Sequence, residues 1–472
     1  MRKSVALLLI LIFLYSLLLI QSYGLQASSA SSSTGNFNSV TQLWSFSTDG
    51  SVYHPPVVSE GYVCVVSSFV TYSRASLFCL NASNGAQIWS YTTPKGYGFT
   101  FPIVANGFVY TGSYNPRSIF AFNVSTGAIV WSKNGSVSTV DNGVLYGGAS
   151  SFDGIQALDA STGETIWKYT TEYSGPLAIA NGYAYVYSSG GQVYAVDAAS
   201  GVRKWSHNTS DRLDSLVVVG DHVYVRYNNR DLYGNVVSSG VIALSVSTGE
   251  KVWEYKADGY TISLVVSNGL VYVGSKYGSI NALNASSGGK TWNYTTEGSP
   301  SSSLVSDDYL YVSVGSRSGN ASLYCFDAIN GTKVWNFTTE PGNEASSPVV
   351  VDGQAYVGNT GPQFFAHRDH YVYALNASTG EQIWNYTIVG NAGSLAAADG
   401  VVYVSASFTS RQSAAHEGNG AVYALKPITS SPLPSTSVVI AIIVVVVILA
   451  IVLLVYRMRR KSAETTQSFT AR

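Results

Sequence analysis

Eight copies of one nine-residue pattern govern what this chain can fold into. Each opens with Asn, Asp or Ser, carries Gly at its fifth place and ends in Trp. The copies are NASNGAQIW (81–89), NVSTGAIVW (123–131), DASTGETIW (159–167), DAASGVRKW (197–205), SVSTGEKVW (245–253), NASSGGKTW (284–292), DAINGTKVW (327–335) and NASTGEQIW (376–384). An apolar run such as YVYAL (371–375) precedes each copy, and a further strand begins near the Trp. The Gly falls where a tight turn needs positive φ, and the Asn/Asp and Ser/Thr side chains can bond nearby backbone. The copies start 36 to 49 residues apart, a period that marks a propeller or a solenoid.

Each repeat carries the same earlier strands. In the sixth, ISLVVSNGLVYVGS (262–275) is followed by a turn at 276–278 and by SINALN (279–284). An apolar run, an Asn-Gly turn and an alternating strand with a central Tyr predict a hairpin. A second hairpin ending in the Trp strand completes four antiparallel strands. Such short twisted sheets bury both surfaces only by packing face to face, which predicts a ring. A composition of 46% hydrophobic but only 11% charged residues suits this, and a formal charge of −1 gives no footprint for a nucleic-acid partner.

Two residues after the Trp stands Phe46, Tyr91, Tyr169, Tyr255, Tyr294, Phe337 or Tyr386, with Lys133 and His207 as exceptions. Strand periodicity puts both rings on one sheet face. Trp44, Trp89, Trp131, Trp167, Trp205, Trp253, Trp292, Trp335 and Trp384 are therefore expected to dock one blade on the next. The strand resembling VYAL occurs nine times, the last at 421–425 without a Trp strand of its own, while Trp44 in LWSFS (43–47) precedes the first unit. Pairing the two leftovers closes a ring of nine blades over residues 42–426 and latches the N-terminal strand to the C-terminal one.

The ends predict export and anchoring. Residues 1–30 read as a signal peptide: Arg2 and Lys3, an apolar core at 5–20, then small residues; an uncleaved anchor is the alternative. Residues 31–41 read as a linker, and 427–437 as a second one rich in Ser, Pro and Thr. Residues 438–456 are uncharged and apolar, long enough at about 28 Å to span a bilayer. Arg457, Arg459, Arg460 and Lys461 follow, which predicts a cytoplasmic tail at 457–472 and an extracellular propeller.

The repeats resemble those of the pyrroloquinoline-quinone-like propeller family, whose motif is close to VYALDAxTGxxxW. The resemblance covers nearly the whole region between the end segments and implies an all-β propeller with Trp docking between blades. Members usually have eight blades, so eight is the alternative to nine. The family includes quinoprotein dehydrogenases and non-enzymatic relatives such as the lipoprotein scaffold of outer-membrane protein assembly. The enzymes hold their quinone between a Trp and a ring formed by two adjacent cysteines, with calcium and an Asp beneath. Here Cys64, Cys79 and Cys325 are not adjacent, and the repeat uses all nine Trp. No catalytic, cofactor or metal residue is therefore nominated.

Aligning the first repeat on the sixth sets Cys64 against Cys79 across one hairpin, where Tyr272 faces Ala282. Export favours a disulfide between them, two buried thiols being the alternative. Cys325 takes a small-residue position. Among the N-x-S/T sequons, Asn293, Asn336 and Asn385 follow the Trp on the outermost strand, where a polar residue or a glycan would protect a sheet edge.

The connections between second and third strands are long in four blades: 68–76, 226–240, 359–371 and 407–420. Blades eight, nine and one become neighbours on closure. Their loops carry His367, Arg368, Asp369, His370, Arg411, His416 and Glu417, the candidate partner-binding residues. A metal site from His367, His370 and His416 is the alternative use of these loops, since imidazole suits zinc or copper. The chain reads as a single-pass cell-surface scaffold for a protein or ligand; the alternative is a quinone- or metal-dependent redox enzyme or sensor.

Overall fold

The computed structural model describes residues 40–428 apart from 69–73, 95–97, 115, 150–153, 172–176, 189, 317–319, 341–343, 361–369 and 409–418. The expected signal peptide, transmembrane span and tail lie outside the described residues. Among the described residues, no helix is long and apolar enough to cross a membrane.

These residues form nine antiparallel sheets, and the ring has nine blades. Blade six is typical, with Thr261–Ser267, Leu270–Ser275, Ser279–Asn284 and Lys290–Thr295 in chain order from inside to outside. Its first hairpin turns at Asn268 and Gly269, both at positive φ (52° and 72°), the two-residue geometry that an Asn-Gly pair supplies. The same pair of signs recurs at Asn106–Gly107, Asn142–Gly143 and Asp352–Gly353. Blade eight splits its inner strand: Glu344–Ala345 and Val349–Val351 both pair Gln354–Thr360. Pro348 lies in the gap, where a residue without an N–H would break the ladder.

Burial follows strand position. Leu270–Ser275, second in its blade, is buried throughout, whereas the outer strand Lys290–Thr295 is exposed except at Trp292 and, in part, Tyr294. The hydrophobic clusters lie between blades. One joins Tyr272, Ile280, Ala282 and Trp292 of blade six to Leu310, Val312, Tyr324 and Phe326 of blade seven.

Closure uses both ends of the propeller. Val40–Thr48 is the outer strand of blade nine and pairs with Gly420–Pro427, followed inward by Val401–Ser407 and Asn391–Ala398. The strands thus run two residues beyond the expected start at 42 and one beyond the expected end at 426, taking Val40, Thr41 and Pro427 from the expected linkers. Gly420–Pro427 ends, and Val40–Thr48 begins, on the face that carries the tight turns. The connections between second and third strands open on the opposite face, called here the loop face.

Candidate functional site

The repeated turn and the Trp strand form one device. In DASTGE, Asp159 Oδ1 accepts from the backbone N–H and hydroxyl of Ser161 and from those of Thr162, at 2.6 to 3.2 Å. The Ser161 hydroxyl, first among these donors, holds the Asp159 carboxyl below the usual carboxylate range. The turn so fixed points its Ala160 carbonyl at the preceding blade, where Trp131 Nε1 donates to it at 3.0 Å. Eight junctions repeat this bond, from Trp44 to Ala82 (2.9 Å) through Trp335 to Ala377 (3.0 Å).

In six of these junctions a Tyr of the same blade shares the acceptor. Tyr110 donates to Ala160, Tyr272 to Ala328 and Tyr311 to Ala377, each at 3.0 Å. Tyr146, Tyr224 and Tyr403 do likewise. This second donor was not anticipated from sequence, although the recurring Tyr of the second strand was the signal. The two departures in the Trp strand also reach the next blade: Lys133 Nζ donates to Gly163 O at 2.8 Å, and His207 bonds the backbone of Gly249.

The junction from blade eight to blade nine is different. Lys426 and Pro427 stand where the turn's Asn376 and Ala377 stand one blade earlier, and the chain continues into its Ser/Pro/Thr stretch. Trp384 Nε1 is buried without an acceptor among the described residues, and Tyr356 turns its hydroxyl to Gln354 within its own hairpin.

These contacts test the quinone site that the family resemblance implies. Every Trp stands at a blade junction, and eight indoles are committed to turn carbonyls. Cys64 and Cys79 are opposed in neighbouring strands, joined by a disulfide with Cα atoms 4.2 Å apart, and fully buried. A cross-strand bridge inside a blade cannot supply the exposed ring of adjacent cysteines, so these residues do not fit the cofactor. Cys325 faces Tyr311, and burial pushes its thiol up to about 12.

The loop face is assembled as follows. Blade eight packs on blade nine through Gln354–Thr360 against Asn391–Ala398, and blade nine packs on blade one through that same strand against Val57–Ser59. The strand ends that launch the three long connections (Thr360 and His370, Ser407 and Gly420, Ser68 and Ala75) are therefore neighbours on one face. His367, Arg368, Asp369, Arg411, His416 and Glu417 lie outside the described residues. His370 opens the strand His370–Asn376 opposite Ile388 and is 6% exposed, so it belongs to the blade wall and not to an exposed loop.

On the turn face, blades three and four enclose a cavity of about 440 Å³ lined by Asp141, Tyr146, Ile166, Ile179, Asn181 and others. Asn293 and Asn336 are exposed on outer strands, and Asn385 is half-buried. Asn336 accepts from Lys333 Nζ at 3.2 Å.

A sequence-family profile described as outer membrane protein assembly factor BamB matches residues 36–141, 132–337 and 319–427. No curated protein matches the chain. Among solved structures, the computationally designed Ika8 protein aligns at TM-score 0.52 and 11% identity, over 75% of this chain and 100% of that one. The quinohemoprotein alcohol dehydrogenase of Comamonas testosteroni aligns at 0.51 and 14%, over 85% of this chain and 78% of that one. BamB of Moraxella catarrhalis aligns at 0.49 and 16%, over 82% and 99%. At these identities, the first two likenesses show the fold alone.

Proposed function

The chain belongs to the repeat-propeller family described as outer membrane protein assembly factor BamB, and from that premise we propose that it is a membrane-anchored scaffold that binds a protein partner. The observation that carries this is the placement of the long connections. The strand ends that launch three of them belong to adjacent blades and lie on the face opposite to where the chain enters and leaves the ring. Blade six, with a three-residue turn, forms the same four-stranded sheet, so the fold itself does not need the extra length. Long loops on a rigid frame commonly carry recognition.

In this reading residues 1–30 direct export, 438–456 cross the membrane, and the propeller is displayed outside the cell. Arg368 and Arg411 are the preferred anchors, because a guanidinium binds carboxylates in a fork and stacks on aromatic rings. Redox catalysis has less support, because the Trp and Cys side chains are held in junctions and blade cores.

The test shortens 361–369 and 409–418, the stretches between the paired strand ends, to Gly-containing turns in the full-length protein. The expected outcome is an unchanged melting temperature with loss of the partners captured from native membranes. A normally folded variant that still captures each of them would overturn the assignment.

A further inference from the structure

Blade five differs from the others in a way that its sequence length alone did not reveal. Residues 226–240 were expected as a long loop. Instead the strands His222–Arg230 and Val236–Ser245 run on as a paired ladder through Asn228↔Ser239 and Asn229↔Ser238 to Arg230↔Val236. At nine and ten residues they are longer than the matching strands of blade six, which have six each. The hairpin therefore projects beyond the neighbouring turns on the loop face.

Its tip is held rigidly. Asp231 Oδ1 accepts from the backbone N–H of Tyr233 and of Asn235 at 2.9 and 2.8 Å, and Oδ2 accepts from the Asn235 amide at 3.0 Å. Gly234 takes positive φ (84°) to complete the turn. Lower down, Asn229 Nδ2 bonds Asp211 and Ser238, and the Arg230 guanidinium lies 4.6 Å above the Tyr260 ring. None of this geometry requires the side chains of residues 232 and 233. Those are Leu232 and Tyr233, 102% and 91% exposed, with Val237 behind them at 64%. On the turn of blade six, the ring of Tyr277 rests on Gly259 and is also exposed.

We propose that this hairpin tip is a self-association site, joining two copies of the chain through an isologous contact between their loop faces. A two-fold interface must be self-complementary: whatever one copy offers, the other must receive. This tip meets that condition. Its apolar centre can pack on its own twin, and Arg230 and Asp231 place a cation and an anion side by side, so each finds its opposite across a two-fold axis. Bilayer insertion fits less well, because the Asn235 amide holds the Asp231 carboxyl below the usual carboxylate range, directly beside Leu232. The patch is small, so the contact is weak and reversible. The rigid turn helps, since little side-chain or backbone order is lost on contact. The inference is independent of the loops of blades eight, nine and one, and shortening those loops leaves it untouched.

The test measures the mass of the full-length protein in detergent by sedimentation equilibrium between about 1 and 100 µM, a span that covers weak affinities. A dimer that grows with concentration is expected. Leu232→Asp with Tyr233→Asp should weaken association at least tenfold with the melting temperature unchanged, because both side chains are exposed. Tyr233→Cys should yield a covalent dimer under mild oxidation, since Cys64 and Cys79 are bridged and Cys325 is buried. A protein monomeric over the whole range would overturn the proposal. So would a dimer that survives the double Asp change, or a Tyr233→Cys chain that does not cross-link. Monomers whose binding to anionic phospholipid vesicles depends on Leu232 and Tyr233 would assign the tip to lipid and reject self-association.

Discussion

Gly380 of blade eight lies flat against the indole of Trp335 in blade seven: a Cβ added to it would come within 2.5 Å of the Trp335 ring. The same approach, 2.4 to 2.7 Å, recurs between Trp44 and Gly85 and at the six junctions between. One glycine thus meets two demands, positive φ (74°) and contact with a neighbouring ring. This is why the pattern holds Gly and Trp in strict register although they touch partners in different copies.

Gly380→Ala should therefore destabilise the propeller by about 2–4 kcal/mol, combining backbone strain with overpacking. Gly107→Ala is the control. It has similar φ (78°) but open space around the added methyl, and should cost about 1–2 kcal/mol. Denaturant unfolding of both variants measures the difference. Equal losses would show that the Trp contact contributes nothing.

Replacing Trp by Phe separates the junctions. Trp89 is the side-chain donor to the Val124 carbonyl, because Cys64 occupies the place of the Tyr, so Trp89→Phe should cost about 1–3 kcal/mol beyond the lost ring area. Trp335→Phe should cost less, since Tyr311 still reaches Ala377. Trp384→Phe should cost least, because its N–H has no acceptor to lose. Melting temperatures in another order would contradict the account of the junctions.

The latch gives a third expectation. Trp44 is 6% exposed against Val63, Val65 and Tyr403, and Trp44→Ala should cost about 3–5 kcal/mol. Deleting 31–48 removes the outer strand of blade nine and should lower the melting temperature further. An unchanged melting temperature would mean that the ring does not depend on this strand.

Alkaline pH should loosen the ring. Burial pushes the hydroxyls of Tyr110 and Tyr272 up to about 12 from an ordinary 10.0. A raised folded value means that the protonated form is favoured in the native state. The stability it contributes is complete below pH 10 and is lost as pH rises from 10 towards 12. Melting followed from pH 8 to 12 should be flat and then fall. Tyr272→Phe should fall less steeply, and an identical slope would remove Tyr272 from the explanation.

Much of this was legible in the sequence for one reason: a repeat states each contact many times. The Asn268–Gly269 turn, the Cys64–Cys79 opposition and the pairing of Trp44 with the last sheet all follow from aligning copies. What the copies could not show was which group of the next blade each docking Trp would meet. The shared use of Ala328 by Trp292 and Tyr272 joins residues far apart in sequence, and period-two patterning assigns a face without naming its partner. Blade five was misjudged for a related reason. Asn, Arg and Gly in RYNNRDLYGN suggest a loop, but cross-strand bonds from Asn228 and Asn229 extend the ladder. His370 was grouped with loop residues because its neighbours are polar, whereas its register opposite Ile388 buries it.

The scaffold reading is tested most directly by titrating the full-length protein with pyrroloquinoline quinone and calcium, followed by calorimetry and by the quinone absorbance. The account predicts no saturable binding up to about 100 µM, because junctions hold the Trp rings and a blade core holds the cysteine bridge. One-to-one binding below about 1 µM, with alcohol-dependent dye reduction by the loaded protein, would contradict it.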